Sequence, residues 1–265
     1  MSSYNGYAAA LKDIDEGVRL APLWWRLGLE QTAARYRRTL LGPFWLAGST
    51  IATGFALVVV FGGVLGGNWR ESVPFILTGV MVWAIVSGVV AEGSQTFLGA
   101  SGHIQSQRMP LSFHVFLQMN RVMINFVHQV VAYWIMLLVL GFFTLPHWQL
   151  LFSIPIIMII GFFLSFPLGL LATRYRDVAQ FIQVAMGALF MLTPVFWRRA
   201  QVSNELVWIV DYNPFTYMLE IVRQPFLGHP APLNYWIGSL VVLAASIILA
   251  FVSLATFRRR LVFWL

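Results

Sequence analysis

Six stretches of this chain run for about twenty residues each with almost no charge, the length an α-helix needs to cross a hydrocarbon layer of about 30 Å. They fall at about 44–66, 74–98, 125–145, 150–172, 178–197 and 235–257. In lipid, backbone amides find no water, so such stretches are confined to helices whose hydrogen bonds close internally. The separators are short and rich in turn formers or charge, as in "GNWRES", "PHW" and "TRYRD". Composition agrees: 59% of residues are hydrophobic and 10% charged, against about a quarter charged in a soluble domain. The expectation is an all-α membrane protein with six transmembrane helices. A cytosolic segment, 1–39, precedes a single transmembrane domain, 40–265. About forty largely non-apolar residues with Asp13, Asp15 and Glu16 stand before the first stretch, which does not read as a cleavable signal.

The net charge of +7 comes from arginine, since Lys12 is the one lysine. Bilayer orientation explains it better than nucleic acid, and the distribution is the test. If both termini are cytosolic, that side holds Lys12, Arg19, Arg26, Arg35, Arg37, Arg38, Arg108, Arg121, Arg174, Arg176, Arg258, Arg259 and Arg260. The other side keeps Arg70, Arg198, Arg199 and Arg223. Of the 17 basic residues, 13 and 4 are thus divided in the sense of the positive-inside rule, which places both termini in the cytosol.

Several segments do more than span. Residues 18–39 read as an amphipathic interface helix with Leu20, Trp24 and Leu27 on one side. It is either a plain anchor for the first span or the carrier of a basic collar, Arg35, Arg37 and Arg38, able to hold an anionic headgroup. Around 101–110, "HIQSQRM" reads either as an ordinary loop or as a short cytosolic helix stopped before Pro110. The "TRYRD" turn puts Arg174, Arg176 and Asp177 in water, with Asp177 favourable to the helix that follows. Between about 203 and 228, "LVWIV" and "FTYMLEIV" are too short to span. They form two helices turning at Asn213 and Pro214 that dip into the outer leaflet, or else a cap lying in water. Glu92, Arg121 and His128 lie in or near the second and third spans, where snorkelling or mutual pairing satisfies them.

What is absent also constrains function. With no cysteine there is neither disulfide nor thiol chemistry. A single lysine, at position 12, rules out a phosphate-binding G-x-x-x-x-G-K loop, and no H-E-x-x-H or G-x-S-x-G occurs. An enzyme acting on polyprenyl phosphates would need clustered acids or histidines, whereas His103, His114 and His128 stand apart with no carboxylate group around them. No catalytic residue and no metal ligand set is assigned. The chain reads as a passive membrane subunit powered from elsewhere.

Taken in order around the six spans, "RYRRTLLGPFW", "HIQSQRMP", "RYRDVAQF", "TPVFW" and "NPFTYMLEIVRQPFLG" resemble the membrane subunit of type-2 ABC exporters. The likeness is greatest to the polysaccharide-export permeases for O-antigen, capsule or teichoic acid, and covers about residues 15–260. It implies a homodimer in the bacterial inner membrane paired with two copies of a separate ABC ATPase, which carries ATP and magnesium while this chain binds no cofactor. It implies a substrate, a polysaccharide linked to polyprenyl pyrophosphate, with O-antigen as the first expectation. Capsule, teichoic acid, a drug or a small lipid remain as alternative cargoes.

On this resemblance, Gln105, Arg108 and Met109 of the coupling helix meet the ATPase, and Arg174, Arg176 and Asp177 lie at the cytosolic gate. Arg35, Arg37 and Arg38 take the lipid pyrophosphate. Re-entrant helices close the outer mouth, where Asn213, Pro214 and Arg223 act as the external gate. Phe44, Trp45, Phe55, Phe190 and Trp197 are candidates to line the glycan channel, the competing role being contact with lipid or an interfacial belt.

Overall fold

In the computed structural model, residues 6–37, 39–40, 42, 44–64 and 68–265 are described. Arg38 of the basic collar lies outside them. The described residues form helices and turns without a β-strand. In chain order the helices are α1 (Gly6–Arg19), α2 (Ala21–Arg35), α3 (Phe44–Val58, continued by a π-helical turn Val59–Val64), α4 (Trp69–Ser94), α5 (Thr96–Gly99) and α6 (Ser101–Ser106). There follow α7 (Leu111–Leu140), α8 (Leu150–Arg174), α9 (Asp177–Leu192), α10 (Val207–Asp211), α11 (Pro214–Phe226), α12 (Leu233–Phe257) and α13 (Leu261–Trp264).

Among the described residues five helices are long and apolar enough to cross a membrane: Phe44–Gly63, α4, α7, α8 and Leu233–Trp264. The fifth expected stretch, 178–197, holds a helix of 16 residues that ends at Leu192. The cause is Pro194, which has no N–H to continue the ladder and pushes Thr193 into extended geometry (φ −93°, ψ 141°). α4 is the axis of the bundle: 72% of its most apolar stretch is buried, against 17% in α3 and in Leu233–Trp264. A helix apolar on every side belongs at the centre; α3 and α12 lie outside with most of their surface uncovered.

Two boundaries differ from the sequence expectation. α7 begins at Leu111, not near 125, and is 30 residues long, about 45 Å at 1.5 Å per residue. Its first turns carry His114, Gln118, Asn120 and Arg121 and are helical because α1 and α2 cover them. Asp13 of α1, fully buried, accepts from the backbone N–H of Leu111 (3.1 Å) and Ser112 (2.8 Å). It thereby caps a helix whose own leading residue, Pro110, supplies no side-chain cap. Asp13 also pairs with Arg258 (2.8 Å), whose guanidinium donates to the Ala9 carbonyl (2.9 Å). Segment 18–39, expected as one amphipathic helix, is in turn two helices broken at Leu20, with Pro22 in the first turn of α2. Gly28 lets α2 lie against Asn120, where a Cβ would strike the side-chain amide, and Trp24 stacks on Phe116 at 5.2 Å.

These contacts gather α1, the start of α7, Arg258 and Arg174, whose guanidinium lies 5.4 Å from the Trp264 ring, at one end of the bundle. We call it the terminal end. The other, the cap end, carries the start of α4, the segment after α9 and α11, tied by Arg198 to Glu71 (3.1 Å) and by the His147 N–H to the Pro225 carbonyl (2.8 Å).

Candidate functional site

α3, α4, α7 and α9 enclose a groove in two connected parts, of about 370 and 300 Å³, that share Thr50, Ala84, Ser87 and Met186. Its polar members arise from helical spacing: Ser49, Thr50 and Thr53 on α3, Ser87 and Glu92 on α4, Asn125 and Gln129 four apart on α7, and Gln183 on α9. Thr50 donates to the Gln129 side-chain carbonyl at 3.2 Å and to the Leu46 backbone carbonyl at 3.0 Å. Ser87 donates to the Trp83 carbonyl at 2.7 Å. Such groups facing hydrocarbon would lack partners for their remaining donors and acceptors, so this wall faces water or protein.

Towards the cap end the groove meets a ring cluster. Trp83 lies 5.9 Å from both Phe190 and Phe215, Phe190 lies 5.4 Å from Phe196, and Phe196 lies 4.8 Å from Phe61. The cluster is held from above by the turn and bends of residues 193–197. Gly79 permits the approach, since a Cβ there would strike the Val195 carbonyl. Asn213, 9% exposed, donates to Thr193 Oγ1 (3.0 Å) and caps α11 by accepting from the Phe215 N–H (2.9 Å). Arg223 donates to the carbonyls of Pro194 (2.6 Å) and Val195 (3.2 Å), pairs with Glu220 one turn back, and sits 4.1 Å from the Phe75 ring. Gln224 donates to the same Glu220 carboxylate at 2.9 Å. Arg223 is 2% exposed, so it joins α11 to the end of α9 as a buried staple.

Towards the terminal end lies a polar relay. Gln118 bridges Glu92 and Arg121, donating to the first and accepting from the second, and Arg121 reaches Gln31 of α2 at 3.4 Å. Of the two alternatives read from sequence, snorkelling or mutual pairing, Glu92 and Arg121 take the second in indirect form, through Gln118 one turn before Arg121 on α7.

The anticipated site residues divide by environment. Gln105 and Arg108 are exposed and Met109 half-buried. The helix here ends at Ser106 and Gln107 turns extended (φ −131°, ψ 134°), so Arg108 and Met109 follow α6 rather than belong to it. Arg35 and Arg37 stand exposed at the end of α2, as do Arg174, Arg176 and Asp177 between α8 and α9. Asn213, Pro214 and Arg223 come together as the α10–α11 turn and staple. Of the aromatics, Phe190 lines the groove. Trp197 is held beside it by donation to the Met191 carbonyl (3.1 Å). Phe44 packs edge-on to His128 (5.5 Å) and Phe55 to Trp69 (6.2 Å); Phe44, Trp45 and Phe55 are exposed on α3. Sequence reasoning passed over Trp83, Thr50, Ser87, Gln129 and Gln183. The available signal was a hydroxyl or amide recurring every three or four residues along spans otherwise devoid of them. Among the described residues no three His, Asp or Glu side chains gather as a metal-holding group.

Residues 22–227 match the family described as ABC-2 type transporter. Two curated relatives, each an O-antigen export system permease protein RfbA of Klebsiella pneumoniae, are 23% and 22% identical over 230 residues, covering 85% of this chain and 86% of each relative. With the match running through α2, the groove and the α11 staple, the chain belongs to the ABC-2 type transporter family and is a membrane permease subunit, not itself a catalyst.

Proposed function

We propose that this chain is the transmembrane half of an ATP-driven exporter that moves a polyprenyl-pyrophosphate-linked polysaccharide, O-antigen foremost, across the bacterial inner membrane. The observation that carries the proposal is the polar, aromatic-ended groove between α3, α4, α7 and α9. Hydroxyl and amide groups exchange hydrogen bonds with successive sugar hydroxyls at little cost, and Phe190, backed by the buried Trp83, offers a face on which sugar rings slide. A small apolar cargo needs no such wall. The uncovered surface of α3 supports a homodimer in which two grooves face one another and close a pore. The name of the Klebsiella relatives supports the cargo.

In this reading both termini are cytosolic, α9 with the irregular segment 193–197 completes a sixth crossing, and α10 and α11 re-enter the outer leaflet. Two copies of a separate ATPase, holding ATP and magnesium, dock at α6 through Gln105, Arg108 and Met109. Arg35, Arg37 and Arg38 hold the pyrophosphate at the cytosolic surface, because the planar guanidinium fork matches phosphate oxygens. Arg174, Arg176 and Asp177 border the inner gate. The test is export from cells carrying T50V/S87A/Q183L, which removes a polar group from three of the four helices of the wall. Loss of surface polysaccharide with the ATPase still bound is the expected result; undiminished export refutes the groove as the path.

A further inference from the structure

The four basic residues assigned above to the side opposite the termini, Arg70, Arg198, Arg199 and Arg223, all line one cleft. It has a volume of about 740 Å³ and lies at the cap end, between the start of α4, residues 141–144 after α7, residues 198–200 and α11. Arginine on that face runs against the positive-inside preference, so its collection at one place calls for a cause. Two carboxylates, Glu71 and Glu220, share the lining, leaving guanidinium in excess.

The four are held to different degrees. Arg223 is the fixed floor, saturated by Glu220 and two backbone carbonyls. Its neighbour Arg198 stands 5.0 Å from the same Phe75 ring and pairs with Glu71 at 3.1 Å, with both side chains about half exposed (47% and 58%). An ion pair that open is weak and exchanges readily for a better anion. Arg199 is engaged by Asp211. Arg70 makes no ion pair and no side-chain hydrogen bond among the described residues, one residue away from Glu71. Phe75, Phe142, Phe143 and Leu227 give the cleft apolar walls, so it joins a basic lip to apolar surface, the pairing that a charged headgroup and its chains require.

We propose that this cleft binds a phosphate or pyrophosphate group carried by a lipid of the outer leaflet, with Arg70 and Arg198 as its exchangeable ligands and Arg223 as the fixed charge beneath. Its outer-leaflet placement rests on the orientation proposed above; binding itself does not, so the two are tested apart. The full chain in detergent, carrying R35Q/R37Q/R38Q to silence the basic collar, is titrated with geranylgeranyl pyrophosphate, with short-chain phosphatidylglycerol and with inorganic pyrophosphate. Adding R70Q/R198Q should weaken lipid-borne phosphate at least tenfold without lowering the melting temperature, since both side chains are at the surface. E71Q, which frees Arg198 from its acid, should tighten it severalfold. Tenfold preference for geranylgeranyl pyrophosphate assigns the site to the exported lipid, and parity with phosphatidylglycerol assigns it to a resident phospholipid. Binding unchanged by R70Q/R198Q and by E71Q, or inorganic pyrophosphate held as tightly as the lipids, overturns the proposal. Side-specific labelling of a cysteine placed at position 200 tests the orientation alone.

Discussion

At the cap end Arg223 is bonded on every side within 2% exposure. At the terminal end Arg35, Arg37, Arg108, Arg174 and Arg176 stand in the open without an ion pair among the described residues. The same side chain thus does two jobs. Where water is excluded, a guanidinium survives only with a carboxylate and carbonyls arranged around it, and the resulting unit holds two elements in one geometry. Where water is present, an unpaired guanidinium costs little and remains available to a phosphate or to another protein. The buried staple fixes shape, and the open arginines are left to exchange partners, most of them at the terminal end and two, Arg70 and Arg198, at the rim of the cap.

Breaking the cap side should give the largest effect. R223M leaves Glu220 buried and unpaired and should cost about 3–5 kcal/mol, read as a fall in melting temperature in detergent and loss of α11 protection in hydrogen exchange. E220M/R223M should recover most of that loss, because no charge is stranded. The terminal end has one buried acid of its own, Asp13, and D13A removes the cap of α7 together with the partner of Arg258. Since Arg258 is 30% exposed and rehydrates, the cost should be about 2 kcal/mol, and exchange should rise at residues 111–114 but not in α11. R35Q/R37Q should change stability by less than about 0.5 kcal/mol while lowering export severalfold, which separates exposed arginines from Arg223 in a single pair of assays.

The smallest effect is one of pH. Hydrogen bonds from Arg199 (2.6 and 2.7 Å) hold the Asp211 carboxyl below the usual carboxylate range. A depressed carboxylate contributes stability above its ordinary pKa and loses it as pH falls through the lowered one. Between about pH 5 and 8 the contribution should therefore be flat, with a slight loss in stronger acid that D211N abolishes. Both partners are largely exposed, so screening keeps the effect small.

Much of this was legible in the sequence because the bilayer imposes lengths. The long apolar runs gave five helices, and the turn at Asn213 and Pro214 followed from the residue chemistry of an N-cap and of proline at the first helical position. The start of α7 was not legible, because its polar first turns are shielded by α1, a contact made by Asp13 nearly a hundred residues earlier in the chain. The short α9 was legible in part: Pro194 marked its end, but the apolar run "VFW" concealed it. The groove was missed for a different reason. Isolated Ser, Thr and Gln residues do little to lower the mean hydropathy of a span, and their meaning appears only when Thr50, Ser87, Gln129 and Gln183 are set against one another across four helices. Pairing of Arg223 with Glu220 was foreseeable from their i, i+3 spacing, whereas its bonds to Pro194 and Val195 needed the fold.

The central claim is that this chain supplies a polar passage and takes its power from a separate ATPase. Reconstitution in liposomes loaded outside with lipid-linked polysaccharide and ATP tests it directly. Glycan should enter the lumen only when this chain and the ATPase are both present, with hydrolysis confined to the ATPase. Hydrolysis by this chain alone, or glycan transfer without the ATPase, would contradict it.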